Sequence, residues 1–541
     1  MPEITQIWPE DFAARYRARG HWRGETFPAL LRARAAAHGT REAVVGNGRR
    51  MTYAELAAGA QAFGAGLLAR GLVPGDRVLV QMGNCPEFFT AVFGLFAAGL
   101  IPVYALPAHR RTEIAHLLAR SGARGMIIEA RIAGFDHAAL ALSLKDELPA
   151  LEHVIVAGSA GGAAEMAAVA GDPAGLPADP DPQSVAFLQI SGGSTGLPKL
   201  IPRTHDDYIY TLRESARISG LDGDSRYLAA LPVAHNFTMS SPGTFGTLYA
   251  GGTVVLGPVA TPEACFRLIR EEAVTITALV PPLALTWLDA AAETRPDIPT
   301  LQVLQVGGAK FLPEAARRVR PLLGCTLQQV FGMAEGLVNY TRLDDPEEVI
   351  TETQGRPISP DDEIRVVDDA GDPVPDGMAG HLLTRGPYTI RGYHDEPGAN
   401  ARSFEPGGWY RSGDIVARQG SGHLVVMGRA GDHINRAGEK ISAEEIEDHL
   451  IAHPDVQDAV VVSIPDAVLG ERSCAFILGR AGTAPKPAEL RRFMRGRDIA
   501  AFKIPDEIRM VAALDVTAVG KISRRSLRET LKAEAEARKE Q

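Results

Sequence analysis

Between about residue 20 and residue 170, apolar positions alternate between two spacings. Ala-rich windows such as 53–71 repeat at helical intervals, and short apolar runs such as 77–82 and 125–129 read as strands. This alternation predicts an α/β fold, with helices covering buried strands. The stretch 158–183 is rich in Gly, Ala, Pro and Asp and reads as a long loop or frayed linker. It leads into the apolar run 185–190, a strand, and a loop of Gly, Ser and Thr follows at once. Strand runs return at 253–256, 276–280 and 303–306, with helices between them. From 364 to 415 the pattern changes to short strands broken by Gly, Pro and Asp, which predicts a small β-rich subdomain.

A second change follows Gly428. The remaining chain holds two amphipathic helices (443–452 and 487–495), alternating strands (456–464 and 473–478) and a charged helix from Ser523, enough for an independent α+β domain. A boundary near Gly431 divides the chain into a layered α/β domain over 1–430 and a small α+β domain over 431–541. Two domains also suit 541 residues, since a single core stops growing near roughly 300 residues.

Composition narrows the function. The chain is 45% hydrophobic and 23% charged, as an ordinary globular protein is. With 56 basic and 66 acidic residues its net charge is -10, which disfavours a nucleic-acid partner. Cys85, Cys265, Cys325 and Cys474 lie far apart, without a C-x-x-C pair, so neither a zinc site nor a disulfide framework is expected. No apolar run approaches the ~20 residues that span a bilayer, and residues 1–8 lack the apolar stretch of a signal peptide. The expectation is a cytoplasmic protein with no membrane partner.

The loop after 185–190 reads Ser191-Gly192-Gly193-Ser194-Thr195-Gly196-Leu197-Pro198-Lys199. Small residues let backbone N–H groups converge on phosphate oxygens, the hydroxyls add donors, and the lysine adds charge. On its own such a run is equally well a surface turn. A Walker loop requires G-x-x-x-x-G-K-[ST]. Here Pro198 precedes the lysine and lacks the N–H that loop would aim at phosphate, and Leu200 follows it where a magnesium-binding hydroxyl would stand.

Further motifs follow in order: Val330-Phe331-Gly332-Met333-Ala334-Glu335, Tyr410-Arg411-Ser412-Gly413-Asp414, Gly428-Arg429, Gly438-Glu439-Lys440-Ile441 and Gly520-Lys521. Together with the Ser191 to Lys199 loop they resemble the adenylate-forming superfamily of acyl-CoA synthetases, luciferases and peptide synthetase adenylation domains, over nearly the whole chain. The resemblance implies ATP as a substrate and Mg2+ as its counter-ion. It implies that Ser191, Gly192, Gly193, Ser194, Thr195, Gly196 and Lys199 grip the triphosphate and that Glu335 ligates magnesium. Asp414 would accept from the ribose hydroxyls, with Arg429 beside it and Gly308 and Val330 bordering the nucleotide. Lys521 would enter from the small domain and bridge carboxylate and α-phosphate during adenylation. Gly431 stands where the family usually places a Lys or Asp as the hinge of a domain rotation.

Within the superfamily, His235-Asn236-Phe237-Thr238-Met239-Ser240-Ser241 most resembles the stand-alone aryl-acid ligases of siderophore pathways. His235 would help neutralise the reacting carboxylate. Amino-acid-activating relatives carry Asp at the position of Asn236, to pair an ammonium. A neutral amide suits an acid without one and can bond an ortho hydroxyl. Phe237 would stack on the ring, and Ser241 would leave room for a second hydroxyl. Gly307, Gly308 and Ala309 with Val330, Ala334 and Val338 would form a floor of small residues. Lys310 is left without a role.

The resemblance thus implies 2,3-dihydroxybenzoate first and salicylate second. The acceptor it implies is the phosphopantetheine thiol of an aryl carrier protein, reached past Gly438. Arg491, Arg492, Arg495, Arg497 and Lys503 are either a docking patch for that carrier or a solvated face. An aryl-CoA ligase is the enzyme alternative. A non-catalytic ATP-binding regulator would be expected to lack Lys521 or Glu335.

Overall fold

The computed structural model describes residues 8–159, 161–191, 197–432, 434–436, 439–466, 469–497, 499, 503–514 and 523–537. Among them, two large sheets form the N-terminal part. The first runs, in spatial order, Arg356–Pro357, Gly336–Tyr340, Thr326–Met333, Val303–Gly307, Ile276–Leu279, Arg226–Ala229, Thr253–Leu256, Glu42–Gly46, Arg49–Thr52. The second runs Leu200–Thr204, Val185–Ile190, Ile101–Ala105, Arg77–Gln81, Gly125–Glu129, His153–Ala157, Ala164–Glu165. Their inner strands pair in parallel and are buried along nearly their whole length. Unbroken apolar runs such as 185–190 are what strands covered on both faces require.

Helices Tyr53–Ala69 and Pro86–Ala97 share one apolar cluster with strands of both sheets, joining Phe63 and Phe88 to Val78, Tyr104, Tyr227 and Val254. The first helix opens with a reciprocal capping box between Thr52 and Glu55. The two helices cross closely: a Cβ on Gly64 would stand 2.4 Å from the Gly94 carbonyl oxygen. Only glycine permits that approach.

The stretch expected to be a long loop or frayed linker is a long loop, but a docked one. It forms the short edge strand Ala164–Glu165 and two single turns, Met166–Ala168 and Pro173–Gly175. Met166 and Val169 are buried, and the Gly171 amide donates to the Ala62 carbonyl at 2.9 Å. Ala170 presses so near Gly66 that a Cβ there would fall 2.7 Å from its nitrogen.

The expected β-rich subdomain is a five-stranded sheet of Glu363–Val367, Ala379–Arg385, Phe404–Glu405, Trp409–Arg418 and Leu424–Arg429. The small C-terminal domain has its own sheet (Ile434–Arg436, Glu439–Ile441, Val456–Asp466, Gly470–Gly479, Glu507–Val511) with helices Ala443–Ile451, Pro487–Arg495 and Arg524–Ala537. It packs on the large domain through one shared apolar cluster, in which Ile446, Leu450 and Val461 join Trp287, Leu288 and Ala315. Arg480 pairs with Asp289, and Arg497 lies 3.2 Å from Glu314, around that contact. The four cysteines are free and buried. No helix among the described residues is long and apolar enough to cross a membrane.

Candidate active site

The phosphate-loop candidate joins two antiparallel strands, since Ile190 pairs with Leu200. Its base is closed twice: the Ser191 amide donates to the Lys199 carbonyl at 3.0 Å, and the Lys199 amide donates to Ser191 Oγ at 3.0 Å. Strand Leu200–Thr204 follows Lys199 where a Walker loop would continue into a helix, a second reason against that reading. Gly192, Gly193, Ser194, Thr195 and Gly196 lie outside the described residues. The Lys199 ammonium sits 4.4 Å from the centre of the Tyr393 ring, a cation–π contact.

Tyr393 connects that lysine to Glu335. Its hydroxyl donates to Glu335 Oε1 at 2.8 Å and lies 3.2 Å from the Tyr410 hydroxyl. Glu335 occupies the turn between Thr326–Met333 and Gly336–Tyr340 and is 8% exposed. Two carbonyls fix this turn: that of Ala334 accepts from Arg203 at 2.8 Å, and that of Glu335 accepts from the Ile390 amide at 2.8 Å. Arg203 is itself buried and paired with Asp207. Burial and the Glu335 carboxylate push the Tyr393 phenol up, so it remains a donor.

Glu335 fits a hard cation: it is a carboxylate with one oxygen held by Tyr393 and the other without a hydrogen bond among the described residues. No group of three or more His, Cys, Asp or Glu side chains there could hold a metal ion alone. A magnesium ion at Glu335 would draw its other ligands from phosphate oxygens and water.

Asp414 and Arg429 face each other across neighbouring antiparallel strands. Arg429 Nε lies 3.0 Å from Asp414 Oδ1, and its Nη1 donates to the Ser412 carbonyl at 2.8 Å. The Ser412 hydroxyl accepts from the Asp414 amide at 3.1 Å, which fixes the carboxylate's approach. The nearby Asp414 charge raises the Arg429 guanidinium further above its ordinary value. Gly431 follows in an exposed turn where a Cβ would meet nothing within 4 Å, so this orientation imposes no steric need for glycine. Gly438 and Lys521 lie outside the described residues.

The acid-pocket candidates gather on the first sheet's inner face. His235 caps the short helix Asn236–Ser240, its Nδ1 accepting from the Phe237 amide at 3.3 Å. Asn84, from the other sheet's side of the molecule, anchors the approach to that helix. Its side-chain amide donates to the carbonyls of Ala229, Leu231 and Gly257 and accepts from the Val233 amide, all at 2.9 to 3.1 Å. Asn236 Oδ1 accepts from the Tyr208 hydroxyl at 2.9 Å. That bond leaves its NH2 group for another partner.

Phe237 lies against the end of strand Val303–Gly307. A Cβ on Gly307 would come within 2.9 Å of Phe237 Cζ and 2.7 Å of the Val330 carbonyl oxygen, so any larger residue would displace the ring. Gly308 follows at φ +87° in the turn that leads to Ala309 and Lys310. Gly307 pairs with Val330, and Gly332 with Val338, so the small-residue floor is continuous across three strands. Ser241 ends the helix and is buried. Lys310 has a setting the sequence did not suggest: it faces the carboxyls of Glu444 and Asp448 on the small domain.

The arrangement thus brings Lys199, Glu335, Asp414 and Arg429 into one polar network with Tyr393 and Tyr410, and packs Phe237 against Gly307 and Val330. A family model described as AMP-binding enzyme matches residues 31–394, and the C-terminal domain of AMP-binding enzymes matches residues 445–521. The chain belongs to the AMP-binding enzymes. It is 54% identical, over 97% of both chains, to a 2,3-dihydroxybenzoate-AMP ligase of Bacillus subtilis. Among solved structures it resembles apo MbtA of Mycobacterium smegmatis at 45% identity, covering 97% of this chain and 98% of that one with a TM-score of 0.75. It also resembles the anthranilate CoA ligase AuaEII in complex with anthranoyl-AMP, at 25% identity over 95% and 98% of the chains with a TM-score of 0.86. As an AMP-binding enzyme it has the large N-terminal and small C-terminal domains its sequence implied, with an adenylating ligase's dependence on ATP.

Proposed function

We propose that this enzyme activates an aryl acid, 2,3-dihydroxybenzoate ahead of salicylate, as its acyl adenylate, and then passes the acyl group to the phosphopantetheine thiol of an aryl carrier protein in siderophore biosynthesis. A carboxylate oxygen attacks the α-phosphorus of ATP, the bond from that phosphorus to the bridging oxygen breaks, and pyrophosphate leaves. Anion must approach anion, so the site has to neutralise and align before it accelerates anything. Lys199 and the hairpin loop would hold the phosphates, Asp414 the ribose, and Lys521 the charge growing between carboxylate and phosphorus. Glu335 would hold a magnesium ion, which when bound would supply positive charge toward the leaving phosphates. His235 would face the reacting carboxylate.

The observation that carries the choice of acid is the neutral amide of Asn236, oriented by Tyr208, and the reading places it in a pocket floored by Gly307 and closed by Ser241. An amino acid's ammonium would be stranded there without a counter-charge. Pyrophosphate exchange with benzoate, salicylate, 2,3-dihydroxybenzoate and several amino acids tests the reading. The dihydroxy acid is expected to exchange fastest, and preference for any amino acid or for benzoate would refute it.

The acceptor is tested separately, by offering the adenylate free coenzyme A or a loaded carrier protein. Of the five basic residues considered for carrier docking, Arg491, Arg497 and Lys503 are bonded to groups of this chain. Arg492 and Arg495 are exposed and remain the candidates for an acidic partner. We place the hinge at the turn around Gly431, with domains over 1–430 and 431–541. The chain overlays the adenylate-bound enzyme better than the more identical apo one, a result that suits a small domain able to take more than one orientation. Cytoplasmic location follows from the acceptor and is part of the same proposal.

A further inference from the structure

Two tyrosines flank the acid pocket, and they differ in one respect. Tyr208 is fully buried and its hydroxyl is spent on Asn236. Tyr340 is equally buried, on the strand Gly336–Tyr340, where it pairs with Val330 and so points to the same face of the sheet as that floor residue. Its hydroxyl lies beside those of Ser215, on the helix His205–Ile218, and Ser241. Beyond one another and Ser241, neither the Tyr340 hydroxyl nor that of Ser215 has a hydrogen-bond partner among the described residues. Buried hydroxyls are nearly always bonded, so a row of three that has only itself, with one proton left over at its end, calls for an acceptor there. Burial pushes the Tyr340 phenol up, which keeps its proton available to donate.

We propose that Tyr340, backed by Ser215, is a positioning residue for specificity: it directs the Ser241 hydroxyl so that the pocket recognises a second hydroxyl on the aromatic ring. This rests on the reading that Ser241 faces that position of an aryl acid. The relay runs Ser215 O–H to Tyr340 oxygen, Tyr340 O–H to Ser241 Oγ, and Ser241 O–H to the ring hydroxyl oxygen. Each hydroxyl both accepts and donates, so every bond in the row polarises the next. Without the ring hydroxyl the Ser241 O–H at the end of the row has no acceptor. A pocket built this way discriminates against the acid lacking the hydroxyl more sharply than an apolar pocket of the same volume.

The test compares full-length wild type, Tyr340→Phe and Ser215→Ala in pyrophosphate exchange with 2,3-dihydroxybenzoate and salicylate, alongside thermal melts. Tyr340→Phe keeps the ring and deletes only the hydroxyl. The ratio of kcat/KM for the dihydroxy acid over salicylate is expected to fall about ten-fold in Tyr340→Phe and about three-fold in Ser215→Ala. Ser215→Ala decides the matter if Tyr340→Phe does not fold. An unchanged ratio in the folded variants, or an equal loss for both acids, overturns the inference and leaves Tyr340 as packing. Wild-type exchange with neither acid would remove the functional reading and this inference with it, whereas wild-type exchange with an unchanged variant ratio removes this inference alone.

Discussion

Around Glu335 the site is made of charges and hydroxyls that hold one another: Lys199 on Tyr393, Tyr393 on Glu335 and Tyr410, Arg429 on Asp414. Around Asn236 the candidate contacts carry no ionised group, and some hydroxyls are left unspent. The difference follows from what each side must handle. Phosphates and a ribose arrive whatever the acid, so the first region holds its charges ready and aimed. The acid is what sets one adenylating enzyme apart from another, and neutral hydrogen-bonding groups discriminate by being left unsatisfied when the wrong molecule binds.

The contrast can be broken in order of expected size. Lys521→Ala, at the lysine proposed to bridge carboxylate and phosphate, should lower ATP-pyrophosphate exchange by about 10² or more while transfer from pre-formed adenylate survives. Equal loss in both half-reactions would take the lysine out of adenylation. Asn236→Asp places a charge in the neutral pocket and should reduce aryl-acid kcat/KM by roughly 10- to 100-fold, since a buried carboxylate without a cation disfavours an anionic substrate. An aryl-acid rate unchanged by that substitution would remove Asn236 from the pocket. Tyr393→Phe deletes the bond to Glu335 but keeps the ring under Lys199, and should raise the magnesium concentration needed for half-maximal exchange about five-fold. An unaltered magnesium dependence would show that Glu335 needs no such support.

The smallest effect concerns pH. Burial pushes the Glu444 carboxyl up to about 7, with Arg524 and Lys310 opposing the shift and Glu447 and Asp432 adding to it. A carboxyl whose folded value is raised binds its proton more tightly when folded. Its contribution to stability is therefore complete below about 4.5, the ordinary value, and is lost as pH rises through about 7. Melting temperature should fall across that window, and Glu444→Gln should flatten the fall by about 1–2 °C. Parallel curves for the two proteins would assign the pH dependence elsewhere.

Much of the fold could be read in the chain because parallel strands announce themselves as unbroken apolar runs. The strands at 77–81, 125–129 and 185–190 stand where those runs do, and the helix from Tyr53 begins at a legible Thr52–Glu55 cap. The segment 158–183 is the long loop its composition suggested, but its docking comes from contacts with Ala62, Ala65 and Gly66, which that composition does not encode. The motif residues were legible one by one, but what aims them was not. Tyr393 lies 58 residues from Glu335, Arg203 lies 131 from Ala334, and Asn84 lies 145 from Ala229. No local pattern spans such distances. Tyr410 was within reach, since it opens the motif that ends in Asp414.

The apolar cluster shared between the two domains carries a thermodynamic consequence. If the small domain turns about Gly431, Ile446 and Leu450 must leave Leu288 and Ala315, and the surface they uncover has a large positive heat capacity of hydration. The balance between orientations then bends with temperature, and cooling weakens the packed arrangement as it weakens any apolar contact. A reaction cycle that used such a rotation would carry its own thermometer, set by how much hydrocarbon the hinge exposed at each turn.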